Sequence, residues 1–246
     1  MSDFQRYARQ LVLPAVGVHG QQQLADSSVF LLGAGGLGSI AAAYLAGAGV
    51  GRLVIADRDR VELSNLQRQV LYRQADLGQR KTAAAVAQLS ALNPEIALEA
   101  EDGPLDPVRL AARVEEADLV LDCSDNFRTR LDLNAACVAA RRPLVVGAAI
   151  RLEGQLLLVD PAREDCPCYA CWFSPEPGED DRCEDAGVLG PVVGTIGSQQ
   201  ALLAILHLLG LDAGAGLLQQ WDARRLAWRR IRGRRDPACT VCGDSS

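Results

Sequence analysis

Residues 30–39 read FLLGAGGLGS, an apolar run that ends in glycines spaced as G-x-G-x-x-G. Glycines allow the backbone to turn sharply and approach a phosphate, whose charge then meets the free N–H groups of the next helix. The stretch therefore predicts a phosphate-binding turn between a buried strand and a helix, formed by Gly33, Gly35, Gly36 and Gly38. Dehydrogenases, flavoproteins and some ATP-using enzymes share such a turn, so the motif leaves the nucleotide open.

The segments around this turn alternate between strand and helix patterns. Strands are predicted over 29–32 and 52–56 with a small-residue helix over 37–48 between them. The alternation continues through helices over 79–92, 105–116 and 126–140 and strands over 96–101, 117–123 and 144–149. This pattern predicts an α/β fold with a Rossmann-like, mainly parallel sheet flanked by helices, and ligands beyond the carboxyl ends of its strands.

The character of the chain changes beyond residue 150. Strands are predicted over 153–159, 217–221 and 226–231 and are joined by tight turns, which indicates an antiparallel extension of the sheet. Residues 176–185 (EPGEDDRCED) are too charged to form core, so a mobile loop is predicted there. We expect a single domain over 1–246, with a nucleotide-binding half (1–150) and a second half (151–246).

Composition limits the function classes. Lys and Arg number 25 and Asp and Glu 31, a net charge of −6, so no overall positive field draws the chain to nucleic acid or anionic lipid. The N-terminus lacks a signal-peptide pattern, and the apolar runs at 40–50 and 201–211 fall short of a membrane span. We therefore expect a cytoplasmic protein, in which the eight cysteines serve a metal or catalysis rather than disulfides.

Two aspartates follow the second predicted strand. Asp57 lies nineteen positions after Gly38, where a carboxylate can accept hydrogen bonds from ribose hydroxyls. A simple turn cap at the end of the strand is the alternative for Asp57. Asp59 either contacts the ligand or positions the loop.

Basic residues follow on the chain that leaves this strand. The segment 61–69 (VELSNLQRQ) contains Asn65, Arg68 and Gln69. The guanidinium of Arg68 offers paired donors to phosphate oxygens that gain charge during phosphoryl or nucleotidyl transfer, although a solvated surface arginine is the alternative. Lys81, near a predicted helix start, offers a second positive charge unless it is an ordinary exposed lysine.

The segment VLDCSDN places Asp122 and Asp125 at the end of a predicted strand. Asp125 is positioned to hold Mg²⁺, which needs oxygen ligands and keeps several waters while it bridges to nucleotide phosphates. Capping of the next helix by Asp125 or Asn126 is the alternative, and the two roles are compatible.

Two C-x-x-C pairs form the most specific metal signal, Cys168 with Cys171 and Cys239 with Cys242. Four thiolates suit tetrahedral Zn²⁺, and a closed shell leaves no position for water, so the predicted site is structural. Redox dithiols are the alternative. Such a metal would hold the C-terminal tail against the middle of the chain.

Cys183 is a candidate nucleophile in the acidic segment. Its acidic neighbours are expected to raise the pKa of the thiol, so an incidental exposed cysteine is an equal alternative. The chain has only two histidines, which makes a histidine-dependent base mechanism improbable.

Together these segments resemble the ubiquitin-activating-like adenylyltransferases that include the MoeB and ThiF proteins. The resemblance spans nearly the whole chain, in the order RYARQ at 6–10, GAGGLG, DRD, SNLQRQ, Lys81, CSDN, both cysteine pairs and AGVLGPVVGTIGSQQA. It implies adenylation of the C-terminal Gly-Gly carboxylate of a ubiquitin-like sulfur-carrier protein by ATP. The products are an acyl adenylate, ready for later thiocarboxylate formation, and pyrophosphate.

The resemblance also implies that residues 151–246 form a zinc-bearing half that binds the carrier protein, and it implies roles for individual residues. The glycines and Asp57 would hold the nucleotide, with Arg68 and Lys81 on the phosphates and Asp125 on Mg²⁺. Arg9 would reach the triphosphate of a neighbouring subunit, which implies a homodimer. Cys183 matches the position of a sulfur-relay or thioester cysteine in some relatives, and the sulfur itself is expected from a separate donor.

Two other functions remain open from the residues alone. An NAD(P)-dependent oxidoreductase rests on the glycines and Asp57 and leaves Arg68, Lys81 and Asp125 unexplained. A non-catalytic module that binds a nucleotide and zinc is the second alternative.

Overall fold

The structure, a computed structural model, describes residues 5–173 and 187–244. Within these residues eight strands form one sheet with the order β3-β2-β1-β4-β5-β6-β7-β8. The strands are β1 (Ser28–Leu32), β2 (Arg52–Asp57), β3 (Ala97–Asp102), β4 (Leu119–Asp122), β5 (Leu144–Ile150), β6 (Glu153–Val159), β7 (Leu217–Asp222) and β8 (Ala227–Arg232). The predicted loop at 176–185 lies outside the described residues.

Strand direction divides the sheet into two parts. Strands β1 to β5 pair in parallel, whereas β6, β7 and β8 each pair antiparallel to the strand before. The predicted parallel sheet with an antiparallel C-terminal extension is therefore confirmed. Because β1 lies between β2 and β4, the chain reverses direction across the sheet at β1, and the carboxyl ends of β1 and β4 border a crevice suited to a ligand.

Helices cover both faces of this sheet. Buried side chains from α2, α3, α4 and α8 form one apolar core, and those from α5, α6 and α7 form the other. The helices are α1 (Ala8–Leu11), α2 (Gly17–Asp26), α3 (Gly36–Ala48), α4 (Lys81–Leu92), α5 (Pro107–Glu115), α6 (Phe127–Ala139), α7 (Tyr169–Trp172) and α8 (Gly190–Leu208). Short 3₁₀ turns lie at Leu63–Asn65 and Gln74–Asp76.

Side-chain caps explain why two helices begin later than predicted, and the extended backbone of the preceding residue explains a third. The side chain of Asp106 accepts a hydrogen bond of 2.8 Å from the Arg109 N–H, and α5 begins at the following proline. Asn126 accepts a bond of 2.8 Å from the Thr129 N–H and caps α6 in the same way. Arg80 is extended, so α4 begins at Lys81.

Helix α8 is longer than its apolar run indicated. It covers 19 residues and is long and apolar enough to cross a membrane by length and composition, whereas the apolar run seen in the sequence covered only 201–211. Glycine, serine and glutamine interrupt its first half, which is why the sequence showed only a shorter run. Val193, Ile196 and Ala204 are buried against the sheet and α3, as in the core helix of a folded domain.

Candidate functional site

The glycine turn closes tightly at the end of β1. Gly33 has φ of +96°, and a Cβ atom there would lie 2.7 Å from the Cys123 carbonyl oxygen. A Cβ atom on Gly38 would collide with the Gly33 carbonyl oxygen. The buried Tyr72 hydroxyl donates a 2.7 Å hydrogen bond to the Ala34 carbonyl and so holds the turn in position. Only glycine fits at these two positions, so the turn leaves the start of α3 open to a phosphate.

The Asp57 carboxylate ties the glycine turn to the next loop. One oxygen accepts the Ala34 N–H at 2.7 Å, and the other accepts the Asp59 N–H at 2.8 Å. Each carboxylate oxygen can accept more than one hydrogen bond, so these bonds leave acceptor capacity for a ligand. The structure thus assigns Asp57 the predicted turn cap while keeping it available to ribose hydroxyls.

A cleft of about 1160 Å³ opens above the ends of β1, β2, β4 and β5. Its volume accommodates a nucleotide together with a peptide segment. Nearly all predicted nucleotide residues line it: Gly33, Gly35, Gly36, Asp57, Asp59, Asn65, Arg68, Gln69, Lys81, Asp125 and Asn126. Gly38 does not line the cleft, because it is buried beneath the turn.

Two cations face this cleft. Arg68 is half-buried and donates through Nη1 to the Ser64 carbonyl at 3.1 Å, which leaves its remaining N–H groups for a ligand. Lys81 Nζ lies 2.8 Å from Asp59 Oδ2, and only 7% of the Lys81 side chain is exposed. Neither residue is an ordinary solvated side chain.

Two amide side chains from the SNLQRQ segment line the cleft, and they differ in their hydrogen bonds. Asn65 Oδ1 accepts the Glu62 N–H at 3.1 Å, so this side chain already shapes the 3₁₀ turn. Gln69 is 3% exposed, and its Oε1 has no hydrogen-bond partner in the described part of the chain. A buried acceptor without a partner is uncommon in folded proteins, so Gln69 points to a ligand or solvent donor.

The acidic residues after β4 divide into a buried and an exposed carboxylate. Asp122 is buried, and its Oδ1 accepts the N–H and the Oγ–H of Ser124 at 2.9 and 2.6 Å. Burial raises the pKa of Asp122. Asp125 is exposed to the cleft without a hydrogen bond to any described residue, so both of its oxygens can bind a cation. Asn126 caps α6, which was the alternative considered for it.

One predicted catalytic residue lies outside this cleft, and another falls outside the described residues. Arg9 is exposed on α1 and is not among the described residues that line the cleft. Its own chain therefore does not bring it to the nucleotide site. Cys183 lies outside the described residues.

The two cysteine pairs meet beside helix α6. The Sγ atoms of Cys168, Cys171, Cys239 and Cys242 all lie within 4.8 Å of one another. Three contacts between them measure 3.9, 3.7 and 3.4 Å. Tetrahedral Zn²⁺ with Zn–S bonds of about 2.3 Å places its sulfurs at similar separations. The geometry can therefore hold one metal ion.

Asn134, which the sequence did not single out, supports this cluster. It is fully buried on α6 and donates to Cys168 Sγ at 3.5 Å, while its Oδ1 accepts the Tyr169 N–H at 2.8 Å. A second N–H, from Asp236, points at Cys171 Sγ at 3.5 Å. Such outer hydrogen bonds orient metal ligands and stabilise thiolates. Nothing in the sequence marks Asn134, because only the fold brings it to the cysteines.

The chain matches the model of the ThiF family over residues 7–241. It belongs to the ThiF family. This membership confirms the resemblance drawn from the motifs.

Among its relatives, the ThiS adenylyltransferase of Escherichia coli is 46% identical over 99% of the chain and 97% of the relative. The molybdopterin-synthase adenylyltransferase of the same organism is 47% identical over 97% of the chain and 96% of the relative. Among solved structures, E. coli MccB with ATP superimposes with a TM-score of 0.84 at 26% identity, over 97% of the chain and 75% of MccB. The ThiF family fold thus extends over nearly the whole chain.

Proposed function

We propose that this ThiF family member transfers AMP from ATP to the C-terminal Gly-Gly carboxylate of a ubiquitin-like sulfur-carrier protein, with release of pyrophosphate. The relatives that match the chain almost end to end are adenylyltransferases, one named for the sulfur-carrier protein ThiS and the other for molybdopterin synthase. They give no support to an NAD(P)-dependent oxidoreductase or to a non-catalytic module. These relatives confirm the prediction that the chain is an enzyme of the adenylyltransferase class.

The observation that carries the proposal is the grouping of Arg68, Lys81 and Asp125 around a glycine turn. In the reaction a carrier carboxylate oxygen attacks the α-phosphorus, and the bond from that phosphorus to the bridging oxygen of pyrophosphate breaks. A carboxylate is already a nucleophile, so the site must align the reactants and stabilise phosphate charge rather than remove a proton. Arg68 and Lys81, as cations in a confined cleft, can stabilise that phosphate charge.

The remaining residues supply binding and orientation. The turn N–H groups at the start of α3 face the phosphates, and Asp57 faces the ribose. Arg68 and Lys81 donate to phosphate oxygens. Asp125, which has no described partner, would hold Mg²⁺, and that ion when bound neutralises phosphate charge. Gln69 offers its unpaired Oε1 to the nucleotide.

We place Zn²⁺ at the four cysteines as a structural ion. The site joins residues 168 and 171 to residues 239 and 242, so it holds the C-terminal segment against α6 and α7. A four-sulfur shell has no open position for a substrate. The chemistry therefore belongs to the cleft alone.

The enzyme acts as a homodimer in this proposal. Arg9 is exposed on α1, outside its own cleft, so it serves the triphosphate of the neighbouring subunit. Exposed apolar side chains near α1 and on α3 and α8 offer a surface for that contact, namely Val12, Leu13, Tyr44 and Leu202. Covering such residues stabilises association.

The cysteines bear on the cellular compartment and on the source of the sulfur atom. The seven cysteines in the described residues form no disulfide with one another, which suits the reducing cytoplasm. The sulfur atom comes from a separate donor in this proposal. Cys123, the cysteine among the described residues that line the cleft, is buried, and burial raises the pKa of its thiol, so it is not a reactive thiolate. Cys183 stays a candidate for a sulfur-relay or thioester role.

Pyrophosphate exchange tests the function directly. The purified chain is incubated with ATP, Mg²⁺, labelled pyrophosphate and ThiS from E. coli, and label is expected in ATP only when the carrier is present. Mass spectrometry of ThiS should show the AMP adduct. Tight binding of NADH without binding of ATP would instead support an oxidoreductase, and absence of exchange with ThiS would remove ThiS as a substrate.

A further inference from the structure

The segment before Arg9 is held in place by a buried tyrosine. Tyr7 is 5% exposed, and its hydroxyl accepts a 2.9 Å hydrogen bond from Asn93 Nδ2. Asn93 is fully buried at the end of α4 and also donates to the Ala46 carbonyl of α3 at 2.7 Å. The tyrosine ring packs so closely against Gly49 that a Cβ atom there would lie 2.6 Å from the ring. Tyr7 is therefore fixed against the ends of α3 and α4.

The residue after Arg9 is held by a second set of hydrogen bonds. Gln10 Nε2 donates to Gln21 Oε1 at 2.7 Å and to the Ala48 carbonyl at 3.0 Å. Gln21 is buried on α2 and donates to the same carbonyl at 2.9 Å. The last carbonyl groups of a helix have no partner within that helix, so polar side chains can bind there. We call the side chains of Tyr7, Gln10, Asn93 and Gln21 the arginine anchor.

Arg9 itself takes no part in these contacts. It is exposed and forms no hydrogen bond or ion pair with any residue in the described part of the chain. Burial of polar side chains costs free energy unless they are hydrogen-bonded, yet the anchor buries three of them beside α1, a helix of four residues without a buried side chain. What these contacts fix is the position of the exposed arginine between them.

Helix α3 separates the anchor from the cleft of the same chain. The phosphate turn lies at the start of α3, whereas the Ala48 carbonyl that binds Gln10 lies at its end. At a rise of about 1.5 Å per residue, the two ends of α3 are about 18 Å apart. An arginine side chain is much shorter than that, so the anchor holds Arg9 away from its own nucleotide site. The exposed Val12 and Leu13 follow directly, on the surface proposed for the neighbouring subunit.

We propose that Tyr7 and Gln10 are positioning residues, which hold Arg9 where it reaches the triphosphate of the neighbouring subunit. This inference rests on the proposed function. A defect in the anchor should therefore impair the site of the other subunit and leave the site of its own chain intact. Misplacement of an aligned group by about 1 Å can lower a rate by about 10²-fold, so even a loosened anchor should change the rate.

A mild double substitution tests the anchor. Tyr7→Phe/Gln10→Ala, the anchor variant, keeps the buried ring but removes the hydroxyl acceptor and both amide bonds of Gln10. Gln22→Ala is the matched control, because Gln22 is the exposed neighbour of Gln21 and its 3.0 Å bond to Asp26 stays within α2. Pyrophosphate exchange with ThiS from E. coli is measured for both, while light scattering and circular dichroism report the dimer and the fold.

The anchor variant should remain a folded dimer and lose at least about tenfold in exchange rate, because Arg9 is no longer held in one position. Its KM for ThiS is expected to stay at the parent value, since the anchor does not contact the cleft. Gln22→Ala should exchange at the parent rate.

Two mixtures decide which subunit the anchor serves. Equal mixing with Asp125→Ala should raise exchange to about a quarter of the parent activity, because half of the dimers then have one site with its own Asp125 and a well-placed Arg9 from the partner. Equal mixing with Arg9→Ala should give no recovery, because each site of that heterodimer receives a misplaced arginine or none. Native mass spectrometry verifies subunit exchange in both mixtures.

The reverse pattern, recovery with Arg9→Ala and none with Asp125→Ala, would overturn the inference and show that the anchor supports the nucleotide site of its own chain. A monomeric anchor variant would assign these contacts to subunit association, and a parent rate in the anchor variant would show that Arg9 needs no fixed support. If the parent chain is active and Arg9→Ala is equally active, the inference fails while the proposed function stands. If the parent chain itself shows no exchange, the proposed function fails first and the inference fails with it.

Discussion

Lys81 Nζ lies 2.8 Å from Asp59 Oδ2 at the wall of the cleft, and the two partners differ sharply in exposure. The lysine side chain is 7% exposed and the aspartate 56%. A backbone bond from the Lys81 N–H to the Asp59 carbonyl, 3.0 Å long, fixes the same two residues. The ammonium is thus held in place before a nucleotide arrives.

Lys81 is the only lysine in the chain, which makes it simple to test. Lys81→Gln removes a charge that faces the phosphates and should lower pyrophosphate exchange by about 10²-fold to 10³-fold, without loss of the folded state by circular dichroism. In the parent chain, an amine-selective acetylating reagent can add at most to Lys81 and the N-terminus. Intact mass should show that ATP with Mg²⁺ protects one of these two positions, and modification at an undiminished rate would place Lys81 away from the phosphates.

Mixing two inactive variants tests the shared site. Arg9→Ala and Asp125→Ala should each abolish exchange, the first by removing the contribution to the neighbour and the second by removing the Mg²⁺ ligand. Equal mixing of dimers gives half heterodimers with one intact site each, so about a quarter of parent activity should return. No recovery, with subunit exchange verified by native mass spectrometry, would show that Arg9 acts within its own chain or not at all.

Metal content tests the cysteine cluster. Cys239→Ser should lower bound zinc measured by plasma mass spectrometry and lower Tm, because one ligand of a closed four-sulfur shell is lost. Cys166→Ser is the control: this thiol is buried close by, but its Sγ is not in the cluster. Cys166→Ser should retain the full zinc content. Equal zinc loss in both variants would show that the assigned ligand set is wrong.

The sequence predicted those parts of the site that depend on local pattern. Glycine spacing fixed the turn, and paired cysteines indicated their own cluster, because each signal lies within a few residues. Gln200 was not predictable: its side chain runs from α8 to the Asp122 carbonyl at 2.8 Å, across 78 positions of sequence. Tyr72 and Asn134 are similar, since only the packed sheet brings them to the turn and to the sulfurs.

The buried Asp122 predicts an unusual pH dependence of stability. Burial raises its pKa in the folded state above the unfolded value of about 3.9, although the Arg130 charge and the Ser124 hydrogen bonds oppose the shift. The folded chain therefore binds more protons than the unfolded chain between these two pKa values, and this group's contribution to unfolding free energy falls as pH rises through that interval.

Asp122→Asn cannot ionise and keeps an oxygen for the Ser124 bonds. The Tm of this variant relative to the parent should therefore increase as pH rises above about 4. Differential scanning calorimetry from pH 4 upward measures the difference. A Tm difference that shrinks with rising pH would mean that the ionised carboxylate is the favoured form in the folded chain.

Two glycines of the same helix offer a matched test of the phosphate turn. Gly38 lies in the first turn of α3, where a Cβ atom would collide with the Gly33 carbonyl oxygen, whereas a Cβ atom on Gly47, near the other end, would meet no packed neighbour within 4 Å among the described residues. Gly38→Ala should destabilise the fold by at least about 3 kcal/mol in urea denaturation and weaken ATP binding, because the turn must shift. Gly47→Ala should instead stabilise it by about 0.5 to 1 kcal/mol, since alanine loses less backbone entropy in a helix. Equal changes in stability for the two variants would show that contact with the Gly33 carbonyl oxygen does not explain the glycine at position 38.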